Sequence, residues 1–257
     1  MSIELLSLLL VGVVTGVAAG VLGIGGGLLM VPALMVGGLT ILQATATSLV
    51  GVVLSATSGS LRNWRTGDLN PTASLGLALG GIPLAQVGAW LGSQLPGAVL
   101  AFCFAVLQLA VIYLMGLRRQ LAKQKSEAVS SQNNFHVKTV GIGGLAGLLS
   151  GLFGVGGGAV MVPLQMLLLQ SPIKLAVRTS LGAIVLIAIS GLVRHGIQGN
   201  VLWLQGVCLG VGGILGAQLG TRVLPKLPER WVNLLFRLLL LAIAGYTIAK
   251  GLEAMPE

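Results

Sequence analysis

Seven apolar runs of about twenty residues dominate the chain, at Ile3–Leu22, Leu42–Leu61, Thr72–Ser93, Gly97–Leu117, Leu175–Val193, Val201–Val223 and Trp231–Lys250. Each is long enough to cross a hydrocarbon layer of about 30 Å. Within lipid every backbone N–H and C=O needs a partner inside the protein, so a crossing segment must be helical or belong to a closed barrel. A barrel strand alternates lipid-facing and lumen-facing residues over about ten positions, and these runs do not alternate. The expected fold class is therefore an all-α polytopic membrane protein. Charge agrees: only 8% of the 257 residues are charged, against roughly a quarter in soluble domains.

The chain also repeats itself. Residues 16–32 read GVAAGVLGIGGGLLMVP and residues 147–163 read GLLSGLFGVGGGAVMVP, an offset of 131. After one inserted residue the register continues at 132: Thr47-Ser48-Leu49 matches Thr179-Ser180-Leu181, Arg62 matches Arg194, Ala85-Gln86 matches Ala217-Gln218 and Leu95-Pro96 matches Leu227-Pro228. Repetition on this scale points to a first transmembrane repeat at 1–117 and a second at 139–257. Between them, 118–138 is rich in Lys, Gln, Ser and Asn and reads as a polar cytoplasmic linker, with His136 in it assigned no specific role. Each repeat holds a first segment broken at glycines (3–37 and 139–169), re-entrant or split, followed by three spanning helices, for eight to ten crossings in all. The first run lacks a basic leading region and its glycine pattern returns later, so it reads as part of the mature fold and not as a signal peptide.

If the broken segment crosses once, the repeats are parallel; if it folds back, they are inverted. With the linker inside, the parallel arrangement divides the flanking Lys and Arg nine inside to five outside, and the inverted one twelve to two. The positive-inside rule favours inversion. So does length, because the arm after the glycines, Leu28–Gly38, has about eleven residues and at about 1.5 Å each cannot cross a bilayer.

Gly23, Gly25, Gly26 and Gly27, with Gly154, Gly156, Gly157 and Gly158, interrupt otherwise apolar sequence. Each glycine weakens a helix by roughly 1 kcal/mol relative to alanine, and an interruption at membrane depth survives only where protein or a water-filled cavity surrounds it. A helix that restarts there presents bare N–H groups and the positive end of its dipole, which together suit an anion. Discontinuous helices near the midplane, one from each half, form the substrate sites of inverted-repeat carriers. Gly12, Gly16 and Gly20, and Gly143, Gly147 and Gly151, recur every four residues and read instead as close helix-packing positions.

Thr47 and Ser48, with Thr179 and Ser180, are hydroxyl pairs that either donate to a bound oxyanion or bond the preceding turn. Arg178 lies beside Thr179 where the first repeat has Ala46, a cation that joins the site or reaches toward headgroups. Gln86 and Gln218 sit mid-span and are coupling candidates or, more commonly for such amides, interhelical ties. Arg62 and Arg194 end matching spans as interfacial anchors, and His195 is placed with them, though its imidazole could also couple proton movement. Arg237, inside the last span, either reaches for the interface or pairs with a carboxylate.

The net charge of +9 is scattered at segment ends, which speaks for topology and against nucleic-acid binding. Cys103 and Cys208 stand alone in apolar runs and are expected to be small buried hydrophobes. No metal set, nucleophile with base, or nucleotide fingerprint is present, so no catalytic residue, enzyme activity, cofactor or metal is expected. The expected partners are a small anionic substrate and the lipid bilayer, with a homodimer left open. An uncoupled anion channel is the alternative to a carrier; accumulation driven by a proton gradient separates the two.

The doubled GxGGG-xxx-VP motif, the TSL triplets at 47–49 and 179–181, and the Arg-x-x-x-x-Gly-Asp/Asn ends at 62–68 and 194–200 resemble the sulfite exporter TauE/SafE family over nearly the whole chain. The resemblance implies a multi-pass protein of the cell (inner) membrane that exports sulfite, a related sulfur oxyanion or an organosulfonate such as sulfoacetate. The chain departs from the family pattern at Asn63, the counterpart of His195, and at Ala46, the counterpart of Arg178.

Overall fold

The computed structural model describes residues 3–22, 26–67, 69–123, 135–223 and 229–253. Among these residues all regular structure is helical, in the order α1 (Ile3–Leu22), α2 (Gly27–Val36), α3 (Ile41–Arg65), α4 (Pro71–Gln94), α5 (Gly97–Lys123), α6 (Phe135–Phe153), α7 (Gly158–Leu168), α8 (Ile173–Ile197), α9 (Trp203–Val223) and α10 (Glu229–Glu253). Within the described residues Ile41–Arg65, Pro71–Gln94, Gly97–Leu114, Phe135–Phe153 and Ile173–Ile197 are each long and apolar enough to cross a membrane. The sheath is apolar as well: Val14, Leu79, Val106, Val193 and Leu204 point outward, an arrangement suited to acyl chains and not to water. Cys103 is exposed on α5 and Cys208 is only half-buried, so neither is the buried filler expected of it; on a lipid-facing surface a thiol needs no cover.

Helix ends follow from local chemistry. Thr40 caps α3 through a reciprocal box with Gln43, both bonds being 3.3 Å, which satisfies two amides that a helix start leaves free. Asn70 accepts from Ala73 N at 3.1 Å to start α4, with Pro71 in the first turn where its missing N–H costs nothing. The polar stretch 118–138 is helical at both ends, because α5 continues to Lys123 and α6 begins at Phe135. Lys138 there reaches the Leu168 carbonyl at the end of α7.

Glycine sets which helices touch. Gly12 and Gly16 of α1 lie against Leu209, Gly212 and Gly213 of α9, and Gly143, Gly147 and Gly151 of α6 lie against Leu77, Gly81 and Ala85 of α4, backbone on backbone. These are the close approaches that small residues every four positions permit. The contacts also fix direction. Numbers rise together along α1 with α9 and along α6 with α4. Thr47 meets Leu202 while Leu54 meets Gly210, so α3 also runs parallel to α9. Ser74 meets Thr179 while Ile82 meets Ser190, so α8 runs parallel to α4. By contrast Leu49 lies on Gly191 and Leu181 on Gly59, making α3 and α8 antiparallel; Gly251 by Ala101 and Gly116 by Arg237 make α5 and α10 antiparallel too.

A consequence follows for the short helices. Since α1 and α3 point the same way, the chain must come back between them, and α2 is the returning arm; α7 does the same between α6 and α8. With 10 and 11 residues, at about 1.5 Å each, these arms reach roughly half the hydrocarbon thickness. They are sheathed in protein, with Leu28, Met30, Val31 and Leu34 of α2 and Met161 and Val162 of α7 fully buried.

Candidate anion site

The two interruptions come together in the interior. Gly27, the first residue of α2, stands against the Gly154 carbonyl and Val155, so closely that a methyl group at position 27 would overlap them. Gly26 caps α2 with φ +79° and Gly157 caps α7 with φ +74°, neither helped by a side chain. Gly154 and Gly156 are left-handed as well, at +68° and +78°, a region other residues enter at a cost of about 1–2 kcal/mol. Crowding reinforces the requirement: a Cβ at Gly154 would strike Ser48 and the Thr45 carbonyl, and one at Gly157 would lie 2.6 Å from the Ala146 carbonyl. Gly23 and Gly25 lie outside the described residues.

The backbone accounting leaves donors over. The Gly26 carbonyl accepts from Leu29 and Met30, each at 3.1 Å, and the Gly157 carbonyl from Val160 at 3.2 Å and Met161 at 2.9 Å. The amides of Gly27, Leu28, Gly158 and Ala159 meet no acceptor among the described residues. The start of α2, a helix end carrying about half a positive charge, thus stands against the loop that leads into α7. None of α2, α3, α7 and α8 contains an acidic residue.

Residues 8–247 match the family described as Sulfite exporter TauE/SafE. The chain belongs to that family. A probable membrane transporter protein of Xylella fastidiosa (strain Temecula1) is 31% identical over 244 residues, covering 92% of each chain. The Bacillus subtilis probable membrane transporter protein YunE is 26% identical over 272 residues, 95% of this chain and 97% of its own, and YdhB of the same organism 28% over 227 residues, 86% and 91%. No solved structure matches. The molecule is accordingly a membrane transporter of the TauE/SafE family.

Within this TauE/SafE transporter the hydroxyl pairs take different employments. Ser48 Oγ is 2.9 Å from the Gly154 carbonyl and 2.7 Å from that of Thr45, so its one proton ties α3 to the second interruption. Thr47 instead accepts from Leu202 N at 3.1 Å and anchors the start of α9. Thr179 donates to Gln165 Oε1 at 2.8 Å, and Ser180 accepts from Gln165 Nε2 at 2.7 Å. Thr47, Thr179 and Ser180 therefore brace the scaffold, and of the four hydroxyl residues Ser48 alone is recorded at a break. Gln86 spends its amide on Ser190 across the α4–α8 seam, at 2.7 Å to the carbonyl and 3.1 Å to the hydroxyl. Gln218 faces outward on α9, Arg62 is exposed in the last turn of α3, and Arg178 is half-buried near the start of α8.

His195 is not an interfacial anchor. It is fully buried and its Nε2 stands 2.9 Å from the Gly151 carbonyl of α6, since the α6–α8 packing carries that end of α8 into the interior. Arg194 beside it has a buried Nε with no acceptor among the described residues, and Asp68 lies outside them. Arg237 lies against Gly116 of α5, its Nε likewise without an acceptor.

Four polar residues near the breaks escape a comparison of the two repeats. Gln165 is the polar side chain of a half-helix whose counterpart position is Leu34; Ser150 answers to Ala19, Thr45 to Val177 and Gln108 to Leu240. All four are buried, and the side-chain polar atoms of Thr45, Ser150 and Gln108 have no partner among the described residues. Gln108 sits one turn beyond Phe104, whose ring packs 5.7 Å from that of Phe153 at the edge of the second break. The signal in each case is a lone polar residue in apolar sequence, which duplication does not highlight because it is not duplicated.

Proposed function

We propose that this transporter binds a small oxyanion or sulfonate, with sulfite and sulfoacetate as the leading candidates, between the starts of α2 and α7 and exports it across the cell membrane by alternating access. The observation that carries the reading is that the glycine-capped start of α2 stands against the second interruption, at Gly154 and Val155, just before the equally capped start of α7, with free amides at both starts and no carboxylate on α2, α3, α7 or α8. Backbone amides and positive dipole ends recognise tetrahedral and pyramidal oxyanions without a dedicated cation. The family's description as sulfite exporters names an anion of that shape.

In this reading the two halves are inverted copies. The antiparallel runs of α3 with α8 and of α5 with α10, each helix paired with its sequence counterpart, support it. Rocking of one half against the other would then open the site to either side in turn. Purified protein in liposomes tests the proposal with radiolabelled sulfite. Wild type should exchange sulfite, and Gly26→Ala and Gly157→Ala should each lose most of that flux while eluting as folded protein in detergent. Unchanged flux in both folded variants would overturn the site.

A further inference from the structure

Thr45 of α3, Ser150 of α6 and His195 of α8 are each fully buried, and Thr45 Oγ1, Ser150 Oγ and His195 Nδ1 meet no partner among the described residues. Buried polar atoms are nearly always paired, so three orphans from three helices need a reason. They gather around one turn. The Ser150 carbonyl accepts from Gly154 N at 2.8 Å; the Thr45 carbonyl faces Gly154; the Gly151 carbonyl faces His195 Nε2 at 2.9 Å. Leu49 and Gly191 touch across antiparallel α3 and α8, and Thr45 and His195 lie one helical turn further along each, on the same facing sides.

The tautomer follows from the partner. A carbonyl only accepts, so Nε2 carries the hydrogen and Nδ1 holds a bare lone pair. A hydroxyl has one proton and two lone pairs, so Thr45 and Ser150, neither of which bonds Nδ1 as the helices stand here, would donate to a neutral ring and accept from a charged one after a rotamer change or through a bridging water. A purely structural histidine would use both nitrogens. This one keeps a base in reserve beside the second interruption.

We propose that Thr45, Ser150 and His195 form the proton site that couples anion passage to proton movement, with His195 Nδ1 as the acceptor. The proposal rests on the anion reading of the break. A proton from the aqueous phase adds to the Nδ1 lone pair, imidazole becomes imidazolium, Nε2–H stays on Gly151, and the same proton leaves on the other side; no bond in the cargo changes. A buried lone charge is costly and a paired one much less so, so an anion at the break and a proton on the ring favour each other.

No other group competes for that role among the helices packed on α8. On α3 the charges are Arg62 and Arg65 at its far end; α4 and α7 carry none. On α6 His136 and Lys138 lie in the opening turn, away from Gly151, and α8 itself carries Lys174 and Arg178 near its start and Arg194 as the chain neighbour of His195. With no carboxylate facing the ring, the cargo is the available counter-charge.

The test uses full-length protein in liposomes with an entrapped pH dye, probed with labelled sulfoacetate, whose charge is fixed near neutral pH, and separately with sulfite. Wild type should accumulate sulfoacetate against its gradient when a pH gradient is imposed, and a sulfoacetate gradient alone should move protons. In His195→Gln the amide can still donate to Gly151 but takes up no proton, so gradient-driven accumulation should fall about tenfold or more while equilibrium exchange persists. Thr45→Ala with Ser150→Ala should weaken coupling in the same direction. Driven accumulation in His195→Gln equal to wild type overturns the inference. So does wild type that exchanges either probe with no dye response beyond the probe's own proton, a measurement that needs no variant. Wild type that exchanges neither probe removes the anion reading itself, and this inference with it.

Discussion

The half-helices α2 and α7 are near copies in sequence, GLLMVP against GAVMVP, and both start from a left-handed glycine, yet they stand in different company. Around the described residues of α2 the buried neighbours are mostly apolar, with Met30 wedged against Gly51 and Gly213; Ser55 beside Gly213 and the Tyr246 hydroxyl on the Met35 carbonyl are the polar groups there. Around α7 and the break before it lie Gln165, Ser150, His195, Ser48 and Thr45. Part of this difference is divergence between the repeats, as Leu34 against Gln165 and Asn63 against His195 illustrate. Part is packing, because Thr45 and Ser48 belong to the first half but reach the break of the second. Two half-helices of matching sequence thus stand in unlike surroundings, and the buried polar groups gather at one of them.

The comparison can be broken most directly at the glycines. Gly154→Ala adds a strained backbone angle, about 1–2 kcal/mol, to overpacking against Ser48 and the Thr45 carbonyl, about 1–3 kcal/mol. Its unfolding temperature in detergent should fall well below that of Gly38→Ala at the end of α2, which carries a left-handed angle with open space around it. Equal losses would mean that Gly154 is not packed against Ser48 and Thr45 as tightly as described. Exchanging the half-helix side chains is the next largest test. Leu34→Gln should cost about 1–3 kcal/mol by burying an amide with nothing to bond, while Gln165→Leu, which strips Ser180 of its donor but leaves Thr179 bonded to Leu175, should cost nearer 1 kcal/mol. If Leu34→Gln is tolerated as well as Gln165→Leu, the surroundings of α2 are not as apolar as described. Smallest is Gln86→Leu, which removes a tie between α4 and α8 that bonds neither half-helix start; roughly 0.6 kcal/mol of stability should go, with sulfite exchange unchanged.

Much of this was legible in the chain. Apolar length announced crossing helices, the double GxGGG announced two interruptions, and glycines every four residues announced close packing, each because one residue type answers one local demand. The half-helix starts at Gly27 and Gly158 fall one residue before the positions expected from the glycine runs. What a duplicated pattern could not reveal is any feature present once. Gln165, Ser150, Thr45 and Gln108 are single polar residues, and His195 looks like a span end until α6 is laid against α8. The Thr-Ser pairs are ambiguous for the opposite reason: they recur, but recurrence reflects scaffold bonds to Leu202 and Gln165 as readily as a shared ligand.

The residue order alone determined that this protein lives in a bilayer, is helical, and breaks its helices twice, because those outcomes depend on hydrophobicity and backbone freedom within a short stretch of chain. Tertiary structure decided that Gly27 meets Gly154, that α3 opposes α8, and that three unpaired polar atoms share one turn. Those facts belong to distances between helices far apart in sequence. Only packing sets such distances, and it sets them through contacts that no single segment contains.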